Sequence, residues 1–293
     1  MKEIKVDKKY DGKKLSKLIL NEIVGINYNN FRELLRKKDI KINGKRINKE
    51  IVIYENDLVN IYLPENIQDK RQEKEITIDI VYEDDNIIVI NKPVQLEVTG
   101  KQSLTELIHN KYNDCGFKPM PCHRIDRNTT GLVLFAKNKE ALEILLQKFK
   151  RHEVEKHYLA IVYGIPKVKK ERLEDYLFKD NKRAKVYISN KYKKGYQKII
   201  TTYKVLEERR ENNTALLDVE IETGRTHQIR AHLAYIGYPI IGDGKYGKNE
   251  INKKFGKRYQ QLCSYKLIFR FSNESGKLDY LNNREISIKV IDL

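Results

Sequence analysis

Two short segments of the chain concentrate residues that could do chemistry. The first, HRIDRNTTG at 123–131, places a histidine, two arginines and a carboxylate within five residues, and an apolar run follows it directly. A carboxylate between arginines stays ionised at neutral pH because nearby positive charge favours the charged form. An ionised Asp126 beside a polyanion could act as a nucleophile or a base. The alternative is a surface turn whose charges pair with one another.

The second segment, TGRTHQIR at 223–230, surrounds a predicted helix start with Arg225, His227 and Arg230. The first turn of a helix has free backbone N–H groups, which favour a phosphate or a carboxylate. A capped helix with solvated arginines is the alternative. Two such segments in one basic chain favour a functional site.

Three other patterns do not carry a cofactor or a metal. The segment GDGKYG at 242–247 fits G-x-G-x-x-G and nearly fits a P-loop, but Asn249 replaces the magnesium-binding hydroxyl. Because the segment follows no βαβ strand and no clear helix opens after it, we expect a surface loop. Pro121-Cys122 lacks the second cysteine of a zinc deaminase. His227 and His232 lie five residues apart, off a common helical face, and are interpreted as structural or substrate-side histidines.

The overall composition favours a polyanionic partner. Lys and Arg number 58 against 41 Asp and Glu among 293 residues, a net charge of +17. Such a surplus favours nucleic acid or an anionic membrane surface, although a solvated basic face would give the same number. No apolar run approaches the roughly 20 residues of a membrane span, and the N-terminus has no secretory signal. Three cysteines without a C-x-x-C pair favour a reducing, cytoplasmic compartment.

The length favours two domains, and the polar segment PENIQDKRQEKE at 64–75 is typical of a linker between them. In the preceding unit, residues 1–63, helical spacing marks two short helices near Leu15 and Phe31. Asn43-Gly44 predicts a tight hairpin turn, and residues 58–63 predict a closing strand. We expect this unit to be a small α/β domain with a basic face.

The region after the linker, residues 76–293, alternates long strands with few helices, which predicts an α+β fold with a mainly antiparallel mixed sheet. The predicted strands are 76–82, 87–90, 131–136, 154–162, 199–206 and 216–221, and a helix is predicted at 104–112. Asn138 is predicted to cap a helix with an apolar face of Leu142, Leu145, Leu146 and Phe149. Thr226 is predicted to cap another helix, which buries Ile229, Leu233 and Ile236 and ends at Gly237.

Taken together, the two segments resemble the RluA-type pseudouridine synthases, which carry H-R-L-D-x-x-[TS]-[ST]-G and, further on, T-G-R-T-H-Q-[IL]-R. Here HRIDRNTTG and TGRTHQIR stand in the same order, about a hundred residues apart. Further matches are NKP at 91–93, KHYLA at 156–160 and GDGKYG at 242–247, so the resemblance spans roughly residues 76–275. The unit at 1–63 resembles the alpha-L RNA-binding domain of a small-subunit ribosomal protein.

The resemblance implies a pseudouridine synthase fold that isomerises selected uridines in RNA to pseudouridine without cofactor or metal. It makes Asp126 the essential catalytic residue. Tyr158 would stack on the base and could move a proton, and Arg230 would pair with Asp126. Arg124 matches an arginine that fills the RNA stack after the uridine leaves. The remaining expected RNA contacts are Arg127, Arg225, His227 and Lys92 in the catalytic domain, and Arg32, Arg36, Lys37 and Lys45 in the N-terminal unit.

Two departures from the family pattern bear on substrate choice more than on the reaction. Gln95 occupies the glycine position of Lys-Pro-x-Gly, and Leu262-Cys263-Ser264 stands where Leu-His-Ala is common. The sequence leaves open which uridine is modified and whether the aspartate attacks the ribose, attacks the base or removes a proton.

Two functions of different classes follow from the sequence. The first is a monomeric, cytoplasmic synthase acting on large-subunit ribosomal RNA, with transfer RNA as the alternative substrate. The second is a non-catalytic RNA-binding or ribosome-assembly factor. The presence of Asp126, Tyr158 and Arg230 favours the enzyme, because a binder has no need of all three.

Overall fold

The computed structural model describes residues 2–23, 26, 28–63, 77–113 and 116–290. The chain divides into two compact units, Met1–Thr77 and Ile78–Leu293. The predicted linker at 64–75 lies outside the described residues. None of the described helices is long and apolar enough to cross a membrane.

The first unit is a small sheet with two helices. Its strands are β1 (Lys2–Lys5), β2 (Lys13–Lys14), β3 (Ile40–Ile42), β4 (Lys45–Ile47), β5 (Val52–Ile53) and β6 (Leu58–Ile61), and its helices are α1 (Leu15–Glu22) and α2 (Tyr28–Lys37). Four strands pair in the order β1-β6-β3-β4, and β2 pairs with β5. Asn43 and Gly44 both have positive φ, as the predicted tight turn between β3 and β4 requires. A single apolar cluster joins both helices to the sheet.

The second unit is built on a large mixed sheet. Its strands are β7 (Asp79–Glu83), β8 (Ile87–Lys92), β9 (Met120–Pro121), β10 (Thr130–Ala136), β11 (Val154–Tyr163), β12 (Lys170–Asp180), β13 (Lys185–Ser189), β14 (Gln197–Arg209), β15 (Thr214–Ile221), β16 (Leu262–Phe269) and β17 (Glu285–Ser287). The main path runs β13-β12-β14-β15-β11-β16-β10-β8-β7. Among the described strands only the β10–β16 pair is parallel. The predicted α+β class is therefore confirmed.

The described part of this unit has four helices: α3 (Leu104–Lys111), α4 (Lys139–Lys150), α5 (Gln228–Tyr235) and α6 (Asn249–Lys254). Alternate residues of β8 and β10 belong to two different apolar clusters, so both faces of the sheet are covered there. That double burial explains why these two strands are continuous apolar runs in the sequence.

The predicted cap of α4 is confirmed, since the Asn138 side chain accepts a hydrogen bond from the Ala141 N–H at 2.9 Å. Leu146, predicted to be on its apolar face, is instead 48% exposed. The predicted Thr226 cap is wrong, because α5 begins at Gln228 after His227, which has a left-handed backbone (φ +54°). A short helix, α6, does follow the glycine-rich loop, contrary to expectation.

Candidate active site

One pocket of about 350 Å³ joins the two sequence segments. The first segment ends in a tight turn closed by a hydrogen bond from the Thr129 N–H to the Asp126 carbonyl at 3.0 Å. β11 forms another part of the wall. The predicted site residues that line the pocket are Arg124, Asp126, Tyr158, Arg225, His227 and Arg230.

Gly131 fixes where the first segment enters the sheet. It has φ of +102° and pairs with Ser264 at the parallel β10–β16 contact. A Cβ at this position would overlap the backbone carbonyl of Ser264. Only glycine combines this backbone conformation with so close an approach. The glycine of the HRIDRNTTG segment therefore fixes the start of β10 against β16, five residues after Asp126.

Arg230 is the centre of the site. Its Nη1 donates to Asp126 Oδ2 at 2.9 Å, while Nε and Nη2 donate to the two oxygens of Asp243 at 2.7 and 3.0 Å. The Asp243 side chain is fully buried and also accepts the backbone N–H groups of Lys245 and Tyr246. The fork of donors on arginine suits this geometry, because one guanidinium can serve two carboxylates. The predicted pairing of Arg230 with Asp126 is present in the structure.

This arrangement keeps the buried pair charged. Burial by itself would lower the pKa of Arg230, but Asp243 and Asp126 outweigh it and raise that pKa. Burial would likewise raise the pKa of Asp243, yet the hydrogen bonds from Arg230 hold it below its usual value. The Asp126 side chain is 26% exposed, and within the described residues its Oδ1 accepts no hydrogen bond. One carboxylate oxygen is thus held by Arg230, and the other is left without a hydrogen bond on a side chain that lines the pocket.

Tyr158 forms an apolar wall with a neutral phenol. The residue is 5% exposed and lies on β11. Burial raises the pKa of Tyr158, and the charge of Asp126 raises it further. The phenol therefore remains protonated at neutral pH, and its ring borders the space beside the aspartate.

Lys92, predicted to bind RNA, serves a different purpose. Its side chain is fully buried, and Nζ donates to the carbonyl oxygens of Pro93, Leu96 and Arg127 at 2.7, 2.7 and 3.0 Å. Burial lowers the pKa of Lys92 to about 8, partly offset by the charge of Asp126. With three donors used and no exposed surface, Lys92 cannot contact RNA, so that prediction is wrong. The Lys92 hydrogen bonds link the loop after β8 to Arg127, the residue that follows Asp126.

Arg127 lies outside the pocket lining. It is exposed, and its Nε donates to the Gln95 carbonyl at 3.2 Å. Gln95 itself has φ of +67°, a conformation that favours glycine. This backbone explains why a glycine is common at the position. The Lys92 hydrogen bonds to the Pro93 and Leu96 carbonyls are present with Gln95 between those residues.

The two histidines of the second segment have different environments. His227 Nδ1 lies 2.9 Å from the Tyr246 hydroxyl, which accepts the Val186 N–H, so the tyrosine can donate to the imidazole. Burial lowers the pKa of His227, although the charge of Asp126 opposes it. His232 is completely buried and contacts Asp175. His227 therefore faces the pocket, whereas His232 is structural.

Sequence reasoning missed a basic end of the pocket. Lys156 is only 7% exposed and lines the pocket, and within the described residues its ammonium has no hydrogen bond or ion pair. It lies 5.5 Å from the Phe149 ring centroid. Burial lowers the pKa of Lys156. The two-residue period of β11, which places Lys156 on the same face as Tyr158, is the sequence signal for it.

The N-terminal residues predicted to bind RNA are exposed. Arg32 and Arg36 line a groove of about 830 Å³ along α2. Lys37 pairs with Glu33 at 3.1 Å, and Lys45 begins β4 away from the groove lining. The structure thus groups Arg32 and Arg36 but not all four predicted residues.

Comparison with known proteins identifies the family. Residues 86–235 match the family model described as RNA pseudouridylate synthase. An RNA pseudouridine synthase of Mycoplasma capricolum is 33% identical over 270 residues, covering 86% of this chain and 85% of that protein. Ribosomal large subunit pseudouridine synthase C of Rickettsia felis is 34% identical over 235 residues, covering 74% of this chain and 76% of that protein.

Solved structures agree on the fold. Human RNA pseudouridylate synthase domain containing 4 has a TM-score of 0.58 at 24% identity, covering 77% of this chain and 92% of that chain. Human RNA pseudouridylate synthase domain containing 1 also reaches 0.58, at 22% identity, covering 68% and 81%. The chain belongs to the RNA pseudouridine synthase family and is an isomerase of that class.

Proposed function

We propose that this enzyme is of the RluA type and converts selected uridines of large-subunit ribosomal RNA to pseudouridine, with Asp126 as its catalytic carboxylate. The observation that carries the proposal is the pocket-lining Asp126 carboxylate, which is held through Oδ2 by the buried Arg230 while Oδ1 has no hydrogen bond within the described residues. Relatives named as ribosomal large subunit pseudouridine synthases support the choice of RNA.

The reaction needs the uridine to leave the RNA stack. Extruding a base costs a few kcal/mol, and stacking on an aromatic ring returns about 1–3 kcal/mol. Tyr158 supplies that ring at the pocket wall. To Arg124, an exposed residue of the pocket lining, we assign the role of filling the gap left in the stack.

The bond changes balance without any other reactant. The bond between N1 of uracil and C1′ of ribose breaks, the ring turns, and C5 bonds to C1′. The proton on C5 is then lost, while N1 gains one, so nothing is oxidised or reduced. Attack on the ribose, attack on the base and removal of a ribose proton all require a carboxylate with a free oxygen, which Asp126 Oδ1 supplies.

The charge of the pocket suits an RNA backbone. Lys156 is a buried ammonium without an anionic partner among the described residues, and the exposed Arg225 also lines the pocket. A phosphate beside Lys156 would satisfy the unpaired charge. His227 and the exposed Arg127 add further polar contacts near Asp126.

The N-terminal unit, residues 1–63, is proposed as an alpha-L-type RNA-binding domain joined through the linker at 64–75. Arg32, Arg36, Lys37 and Lys45 are its candidate phosphate contacts. Such contacts add affinity without sequence information. We further propose that the enzyme acts as a cytoplasmic monomer.

The test is a pseudouridine map of ribosomal and transfer RNA from cells lacking the gene. Complementation uses the wild type, Asp126→Ala, or the control Glu143→Ala, whose side chain is 63% exposed on α4. We expect uridines of large-subunit ribosomal RNA to lose modification, and the wild type and the control alone to restore it. Loss confined to transfer RNA would overturn the substrate. No change in any mark would favour a non-catalytic RNA-binding factor.

A further inference from the structure

Three metal-ligating side chains meet on the face of the sheet opposite the pocket. Glu155 and His157 lie two residues apart on β11, and His157 is paired directly with Glu220 of β15. Alternate residues of a strand point to opposite faces, so this group lies on the other side of the sheet from Tyr158. One ligand atom from each side chain lies within 4.8 Å of the others.

The imidazole of His157 lacks a partner on one side. Its Nδ1 lies 3.1 Å from Asp218 Oδ1, and its Nε2 is buried with no hydrogen-bond partner in the described part of the chain. The His157 side chain is only 12% exposed, so water has little access to it. Nε2 points toward Glu155, with Oε2 at 3.9 Å. A buried imidazole nitrogen that has no hydrogen-bond partner and lies near carboxylates is a candidate ligand for a cation.

The contact with Asp218 orients the His157 imidazole for binding a cation. A carboxylate that accepts the Nδ1 proton fixes the imidazole tautomer and leaves the Nε2 lone pair free to bind a metal. The ring is therefore held with its basic nitrogen toward Glu155 and Glu220.

We propose that Glu155, His157 and Glu220 bind a divalent transition-metal ion, with Zn²⁺ as the best match, and that Asp218 orients the histidine. One imidazole and two carboxylates form a ligand set that Zn²⁺ accepts, with a solvent molecule completing four-coordination. Metal–ligand bonds of about 2.0–2.2 Å place tetrahedral ligands about 3.4 Å apart. Because the ligand atoms lie within 4.8 Å of one another, side-chain rotation has to bring them closer by at most about 1.4 Å.

Two positively charged side chains near the site limit its affinity for the metal ion. Arg270 Nε lies 3.6 Å from Glu155 Oε1, and Lys266 is paired with His157 across the β11–β16 contact. Arg270 approaches the other oxygen of Glu155, so Oε2 remains available to the ion. The bound ion would join β11 to β15 on the face away from Asp126, and it would raise the melting temperature without entering the reaction.

The test is calorimetric titration of the metal-free, full-length protein with ZnCl₂. We expect one Zn²⁺ per chain, an affinity at least tenfold lower in His157→Gln and in Glu220→Gln, and a loss of about 10–100-fold in Asp218→Asn. The matched control is His152→Gln, which removes an exposed histidine outside the cluster and should leave binding unchanged. Circular dichroism of each variant verifies that it is folded.

Cobalt gives a second, spectroscopic readout of the same site. The visible spectrum of the Co²⁺-loaded wild type should show nitrogen and oxygen ligands without a thiolate band, and the spectrum should disappear in Glu155→Gln/Glu220→Gln. Absence of stoichiometric Zn²⁺ binding by the wild type would overturn the proposal, as would full affinity in that double variant. A thiolate band would assign the metal to a cysteine instead and would overturn it as well.

Discussion

Replacing Arg230 by methionine tests the electrostatic core of the active site. The substitution keeps an unbranched apolar side chain but removes three charge-assisted hydrogen bonds to Asp126 and Asp243. Asp126 can turn toward water, since it is partly exposed. Asp243 cannot, because its side chain is fully buried.

The magnitude follows from that difference in burial. Removing one partner of a buried ion pair costs about 3–5 kcal/mol, because the remaining charge is left unpaired. The backbone N–H groups of Lys245 and Tyr246 still bond to Asp243 Oδ1, which favours the lower end. For a unit of this size each kcal/mol lowers the melting temperature by about 2–4 °C, so we expect a drop of about 6–20 °C.

Thermal unfolding measures the melting temperature and urea unfolding the free energy of unfolding; both are followed by circular dichroism, since the chain has no tryptophan. Arg209→Ala is the matched control, because it breaks the exposed pair with Glu207 and should cost less than about 1 kcal/mol. A second variant, Arg230→Met with Asp243→Asn, removes the stranded charge. It should recover at least half of the lost free energy of unfolding.

Two results would refute this reasoning. Wild-type stability of Arg230→Met would mean that Asp243 is not an unpaired buried charge in the variant. Failure of the added Asp243→Asn change to restore stability would mean that lost packing, such as the contact of the guanidinium with the Tyr246 ring at 5.3 Å, dominates instead.

Three further predictions concern other parts of the catalytic unit. Gly131→Ala should lower the free energy of unfolding by about 2–4 kcal/mol through backbone strain and overlap with Ser264. The control Gly224→Ala, at a position with open space around it, should change that free energy by less than about 1 kcal/mol. Urea titration measures both variants, and equal losses would contradict the prediction. Burial lowers the pKa of His123 to about 3, so the unfolded chain takes up a proton below its ordinary pKa near 6.5 that the native chain does not. Stability should then fall by about 1 kcal/mol between pH 6.5 and 5.5 on this account, and a His123→Gln variant with the same slope as the wild type would argue against it. Lys156→Met should weaken RNA binding and reduce the slope of log affinity against log salt by about 0.7–0.9, while the exposed Lys139→Met should not; equal slopes in filter-binding titrations would remove Lys156 from the phosphate contacts.

The sequence predicted best what depends on local chemistry. The Asn43-Gly44 turn, the Asn138 cap and most strands of the large sheet follow from residues that are neighbours in the chain. The pairing of Asp126 with Arg230, 104 residues apart, was accessible only through the family resemblance. Nothing in the period or spacing of either segment brings them together.

Two wrong predictions have a common physical cause, because in each a hydrogen bond to a nearby group replaces the role that the residue type predicts. Thr226 does not cap α5, because the Gln228 side chain accepts the Thr223 hydroxyl and the Arg225 N–H and so closes the turn itself. Lys92 resembles a free cation in sequence, yet backbone carbonyls surround its ammonium. Hydrogen bonds of a side chain to backbone carbonyls cannot be predicted from the types of the residues that supply those carbonyls.

The most direct test of the central claim is conversion of uridine in purified large-subunit ribosomal RNA by the purified protein. Release of tritium from RNA labelled at C5 of uracil measures formation of the new carbon–carbon bond. The wild type should release tritium and yield pseudouridine by mass spectrometry, and Asp126→Asn should yield none above background while remaining folded. Pseudouridine formed by Asp126→Asn at the wild-type rate would contradict the assignment of Asp126 as the catalytic carboxylate.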